Sequence, residues 1–168
     1  ESAAGIWVQI AKKGSGINSI NYQETLEVAL CFGWIDGVKN AYDEKTWVQR
    51  FTPRKPNSKW SKINRNKAEE LIAAGKMRPS GMAAIETAKQ NDSWTILDDV
   101  EELKIPQDLA KEFKTQPGSK DYFLSLSKSV RKMIVQWIVL AKRPETRQKR
   151  INEIAEFAAQ KMKPKQFR

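Results

Sequence analysis

Apolar and polar positions alternate at the start of the chain. Ile6, Val8 and Ile10 fall on one side of an extended segment, which predicts a strand over 6–11. Gly14, Ser15 and Gly16 break that pattern as a turn. Leu26, Ala29 and Leu30 then recur at helical spacing, predicting a helix over 22–32 with Asn21 as its N-cap and Gly33 as its stop. Alternation returns over 35–41 and 46–52, two strands joined by the polar turn Tyr42-Asp43-Glu44-Lys45. In the second strand Trp47, Gln49 and Phe51 face one way, Val48 and Arg50 the other. Pro53 and Pro56 end it, because neither can donate to a ladder.

From there the period is helical. A helix is predicted over 58–74, capped by Ser58, with Trp60, Ile63, Ala68, Leu71 and Ile72 inward. A shorter one follows over 82–89. Residues 91–103 read as a loop carrying the acidic run Asp98-Asp99-Val100-Glu101-Glu102, a solvated bend with no histidine beside it. Pro106 opens a helix with Leu109 and Phe113 inward, and Ser119 to Leu126 forms a short turn. Ser127 caps a helix over 128–141 with a stripe of Val130, Met133, Ile134, Trp137 and Ile138. Pro144 opens a last helix to about Met162, and the basic end from Lys161 is expected to fray. The fold class is therefore α+β. A small antiparallel sheet with helices occupies 1–95, and an all-helical module occupies 96–168.

Composition narrows the chemistry. The chain has 168 residues, 40% of them hydrophobic and 30% charged, enough length and apolar content for a globular core. Its longest apolar run, 133–141, contains Gln136 and falls well short of the ~20 residues of a membrane span. No secretory leader is visible, and the expected compartment is the cytoplasm. Cys31 is the single cysteine and lies in an apolar run, so it reads as a small buried side chain. There is no histidine, which excludes serine–histidine and cysteine–histidine catalysis. Gly14-Ser15-Gly16 lacks the partners of a phosphate loop or dinucleotide fingerprint, so no cofactor is indicated. The net charge of +10 favours anionic partners and disfavours a direct grip on cationic peptides.

The densest candidate site is an anion-binding cluster of Arg50, Arg54, Lys55, Ser58, Trp60, Ser61 and Asn64, joined by Trp34 and Asp36. Two arginines can fork onto carboxylate or phosphate oxygens. A helix start capped by Ser58 would add N–H groups and the positive end of a dipole. Trp34 and Trp60 offer flat walls for a ring. The plain structural alternative is that Ser58 only caps, Trp60 is core, and Arg50 pairs with Asp36 across the hairpin. A second basic region, Lys142 to Arg150, opens the last helix and is the candidate contact for nucleic acid, although no zinc-finger, RNP or helix-turn-helix pattern accompanies it.

Four blocks carry a resemblance: residues 29–37, residues 49–54 leading into 60–64, residues 81–84, and residues 137–147. They resemble the bacterial YdeI/OmpD-associated, or bacteriocin-protection, family. The resemblance implies an α+β portion followed by a helical module, further chain ahead of the first strand, and a context of envelope stress and bacteriocin protection. It brings no catalytic activity and no cofactor. The resulting expectation is a non-enzymatic binding protein whose partner is an anionic small molecule or an acidic protein surface. Two alternatives stand beside it. One is a nucleic-acid-binding module using the basic C-terminal helices. The other is an enzyme on a phosphorylated substrate, with Asp36 as its acid or base.

Overall fold

The structure, a computed structural model, describes residues 4–168. Its chain divides into two compact units, Glu1–Thr95 and Ile96–Arg168. The fold is α+β, with an antiparallel three-stranded sheet in the first unit and helices throughout the second.

The first unit opens with β1 (Ile6–Ala11), followed by helix α1 (Tyr22–Cys31). Asn21 and Glu24 form a reciprocal capping box at the start of α1, satisfying two amides that the helix leaves open. Strands β2 (Trp34–Ala41) and β3 (Thr46–Pro53) form the predicted hairpin, and β3 lies in the middle of the order β1-β3-β2. Residues facing each other across the ladders fix which side chains share a face. Ile6, Asp36 and Phe51 meet at one level, and Trp34 pairs with Pro53. Trp7 pairs with Arg50, and Ile35 with Thr52. The register shifts between Asp36 and Lys39, a bulge at Gly37 and Val38. Phe51 and Ile10 are buried on the inner face, whereas Trp7 and Val38 are exposed on the outer one.

Helices α2 (Lys62–Ala73) and α3 (Pro79–Gln90) complete this unit. Leu26, Leu30, Phe51, Trp60, Ala68, Leu71, Ile85 and Trp94 belong to its core. Gly81 lets α3 approach the backbone of α1, since a Cβ there would overlap the carbonyl oxygen of Cys31. Gly33 has φ +76°, which suits the turn from α1 into β2.

Helix α2 departs from the sequence reading. It starts at Lys62 and its N-cap is Ser61, whose Oγ accepts from the Asn64 amide at 3.2 Å. Ser58 instead accepts from the Lys55 amide at 3.0 Å and closes a turn over Lys55-Pro56-Asn57-Ser58. With the start moved, Ile63 points outward and is 76% exposed.

The second unit packs α4 (Asp98–Glu101), α5 (Gln107–Thr115), α6 (Ser119–Ser125), α7 (Lys128–Val139) and α8 (Pro144–Ala159) around a separate core. Leu109, Phe123, Ile134, Ile138, Ile151 and Ile154 are among its fully buried large side chains. Ser127 caps α7 as its sequence predicts. The acidic run forms a short helix, with Asp99 and Glu102 paired to Lys104 and Glu101 paired to Lys132. Met133, placed inward by periodicity, is exposed. The basic end does not fray. A 3-10 turn at Lys165–Phe167 sets Phe167 edge-on against Trp137 at 5.6 Å, and Lys165 donates its amide to Glu153.

Candidate functional site

The sequence-predicted cluster separates into three environments. Arg50, Arg54, Lys55 and Ser58 line one open hollow of about 750 Å³, together with Ala4, Ile35, Gly37, Val38, Thr52, Pro53 and Pro56. None of these described lining residues is acidic. Trp34, Arg54, Lys55 and Trp60 line a second hollow of about 400 Å³ against α3. Ser61 and Asn64 belong to neither, being occupied in capping and packing α2.

Arg50 and Asp36 lie on opposite faces of the sheet. Asp36 faces Phe51 across the ladder and so shares the inner face, whereas Arg50, one residue before Phe51, projects outward. Asp36 accepts instead from the Tyr22 hydroxyl of α1 at 2.9 Å. Burial first, then that bond and the nearby charge, push the Tyr22 phenol up to about 12. A carboxylate so engaged ties α1 to the sheet.

Arg54 is not a free fork. Its guanidinium lies 3.5 Å from the centroid of the Trp60 ring, and Nη1 donates to the Lys59 carbonyl at 3.3 Å. Nε and Nη2 are shielded from solvent and have no hydrogen-bond partner among the described residues. Burial pulls its pKa down to about 10, with the Asp36 charge acting the other way. The group therefore remains charged at neutral pH. Trp60 itself is 1% exposed and is core, packed 4.8 Å from Trp94. Its lower wall is thus already covered by Arg54, and the indole is not an open platform.

The segment 53–61 owes its shape to more than its two prolines. The Arg54 amide donates to Gly33 at 2.9 Å, the Trp60 amide to Ser93 at 3.2 Å, and the Asn91 side chain to the Pro56 carbonyl at 2.8 Å. Lys55 projects from this tied scaffold into solvent, and Arg50 does so from β3. The chain from Lys45 to Ala68 contains no Asp or Glu. Trp7, absent from the sequence-predicted site, stands beside Arg50, its ring 6.0 Å from the guanidinium carbon. The signal was present in the alternation, which leaves a large aromatic on the strand face opposite Ile6, Val8 and Ile10.

Among the described residues no group of three His, Cys, Asp or Glu side chains converges as metal ligands. No helix among them is long and apolar enough to cross a membrane.

Comparison with family models gives one match in each unit of the chain. Residues 1–84 match a domain of unknown function, DUF8412, and residues 102–161 match the family described as Bacteriocin-protection, YdeI or OmpD-Associated. The chain belongs to the DUF8412 family, whose model spans its first half, and its helical unit matches the YdeI/OmpD-associated model. Comparison with curated proteins and with solved structures returned no match. Of the four blocks that suggested the YdeI/OmpD-associated family, only residues 137–147 lie inside that match; the other three lie in the DUF8412 portion. The hollow lined by Arg50 and Lys55 is therefore a feature of the DUF8412 portion.

Within the YdeI/OmpD-associated module, two arginines of the second basic region serve the fold. Arg147 forks onto Asp108, with Nε to Oδ2 at 2.6 Å and Nη2 to Oδ1 at 3.0 Å. Arg150 donates to the Trp137 carbonyl and stacks 5.0 Å from its ring. Lys142, Arg143 and Lys149 remain exposed.

Proposed function

We propose that this is a non-enzymatic binding protein of bacteriocin protection that holds an anionic ligand in the outer hollow of its DUF8412 half. The observation that carries this reading is the lining: Arg50, Arg54, Lys55 and Ser58 surround one hollow whose described walls hold no carboxylate. Asp36 offsets part of the Arg54 charge from the other face, but Arg50 and Lys55 have no carboxylate among the described walls and keep a positive potential that an anion relieves. The hydroxyl of Ser58 adds a neutral donor, and the bonded segment 53–61 lowers the ordering cost of binding. The bacteriocin-protection context comes from the family of the helical unit. A protein of charge +10 repels cationic peptides, so protection proceeds through the anionic ligand.

Pyrophosphate is the probe. Near 100 times its dissociation constant it should stabilise the protein by about 2.7 kcal/mol, a rise of roughly 5–11 °C in the melting midpoint. Arg50→Ala with Lys55→Ala, both exposed positions, should melt like the wild type and show no such rise. An equal rise in wild type and double variant, or none in either at low salt, would overturn the reading.

A further inference from the structure

Extending the anion reading above, on which it rests, we infer that the occupant of the outer hollow is single-stranded nucleic acid, its phosphates on Arg50 and Lys55 and a base stacked on Trp7. Three observations meet on one face. Trp7 pairs directly with Arg50 across the β1–β3 ladder, so the two side chains emerge side by side. Trp7 is 50% exposed and Val38 57% exposed, so this sheet face has an aromatic platform with an apolar margin open to solvent. The hollow beside the platform is lined by cations, and none of its described lining residues is acidic.

An unpaired base has two free faces, and an indole ring can cover one of them. A duplex keeps its bases stacked on one another and has no face to offer. The proposed partner is a strand and not a lone nucleotide because the exposed cations of this segment continue along the chain beyond those that line the hollow. Arg50 and Lys55, five positions apart, both line it, and the exposed Lys59 follows in sequence with no Asp or Glu between. The helical unit is the weaker place for this contact, since Arg147 and Arg150 are bound to Asp108 and to the Trp137 carbonyl.

The experiment is fluorescence anisotropy of a labelled fifteen-residue oligothymidine, with the pyrophosphate melt run in parallel on the same samples. Wild type should bind the oligomer more tightly than a duplex of equal length. Trp7→Ala should weaken oligomer binding about 5- to 150-fold, the range of one lost base stack, and leave the pyrophosphate shift intact. Trp7→Tyr, which keeps a ring on the strand, should retain most of the binding and guards against a folding defect. Arg50→Ala with Lys55→Ala should abolish the pyrophosphate shift and flatten the dependence of log affinity on log salt by about 1.4. Lys142→Ala with Arg143→Ala should change neither readout. A preference for duplex, unchanged oligomer binding in Trp7→Ala, or loss in the Lys142/Arg143 variant overturns the nucleic-acid inference. Loss of the pyrophosphate shift in wild type itself overturns the anion reading beneath it.

Discussion

Tyr22 and Asp36 tie α1 to the inner face of the sheet, and their bond has a pH signature. The phenol is held at about 12 in the folded protein against 10.0 when free. Between those values the folded state keeps a proton that the unfolded chain has released. The contribution is fully present below pH 10 and falls as pH rises towards 12. Wild type should exceed Tyr22→Phe by about 1 kcal/mol in urea unfolding at pH 8, and the gap should narrow by pH 11. A gap that widens with pH contradicts the assignment. Gly81 gives a sharper test at the same scale. Because an added methyl would overlap the Cys31 carbonyl, Gly81→Ala should destabilise the first unit by about 3 kcal/mol, read from its urea midpoint.

At the level of elements, the sheet was legible because alternation is a strong signal and the flanking prolines and turn residues bound it. The start of α2 was not. Ser58 and Ser61 are equally good caps by residue type, and only the turn between Pro53 and Ser58 decides between them. That one choice moves Ile63 from the core to the surface and removes the helix end from the anion hollow. Ser61→Ala should therefore lower stability by about 1 kcal/mol, while Ser58→Ala should leave the helix intact; circular dichroism with urea titration separates them. The face of Arg50 was readable from its strand, but its separation from Asp36 required the cross-strand register. The basic end was misread for a different reason. Its charge suggested fraying, while Phe167 supplies enough apolar surface to seat the segment on Trp137.

For the whole molecule, the informative fact is that each unit buries its own set of large apolar side chains. Residues 96–168 expressed alone should melt cooperatively as a helical protein. Leu109→Ala, at a fully buried position, should cost that fragment about 2–5 kcal/mol. A broad, non-cooperative melt of the unsubstituted fragment would mean that its core needs the preceding chain. The family matches follow the same division: the helical unit matches the bacteriocin-protection model, and the anion hollow proposed above lies in the DUF8412 half.

Strand alternation puts Asp36 and Arg50 on opposite faces, with the thickness of a peptide backbone between their side chains. Their mutational effects should consequently be independent. In a thermodynamic cycle, Asp36→Asn and Arg50→Ala should sum to the double variant within ~0.5 kcal/mol, so that the proposed ligand face can change without loosening the helix docked on the other.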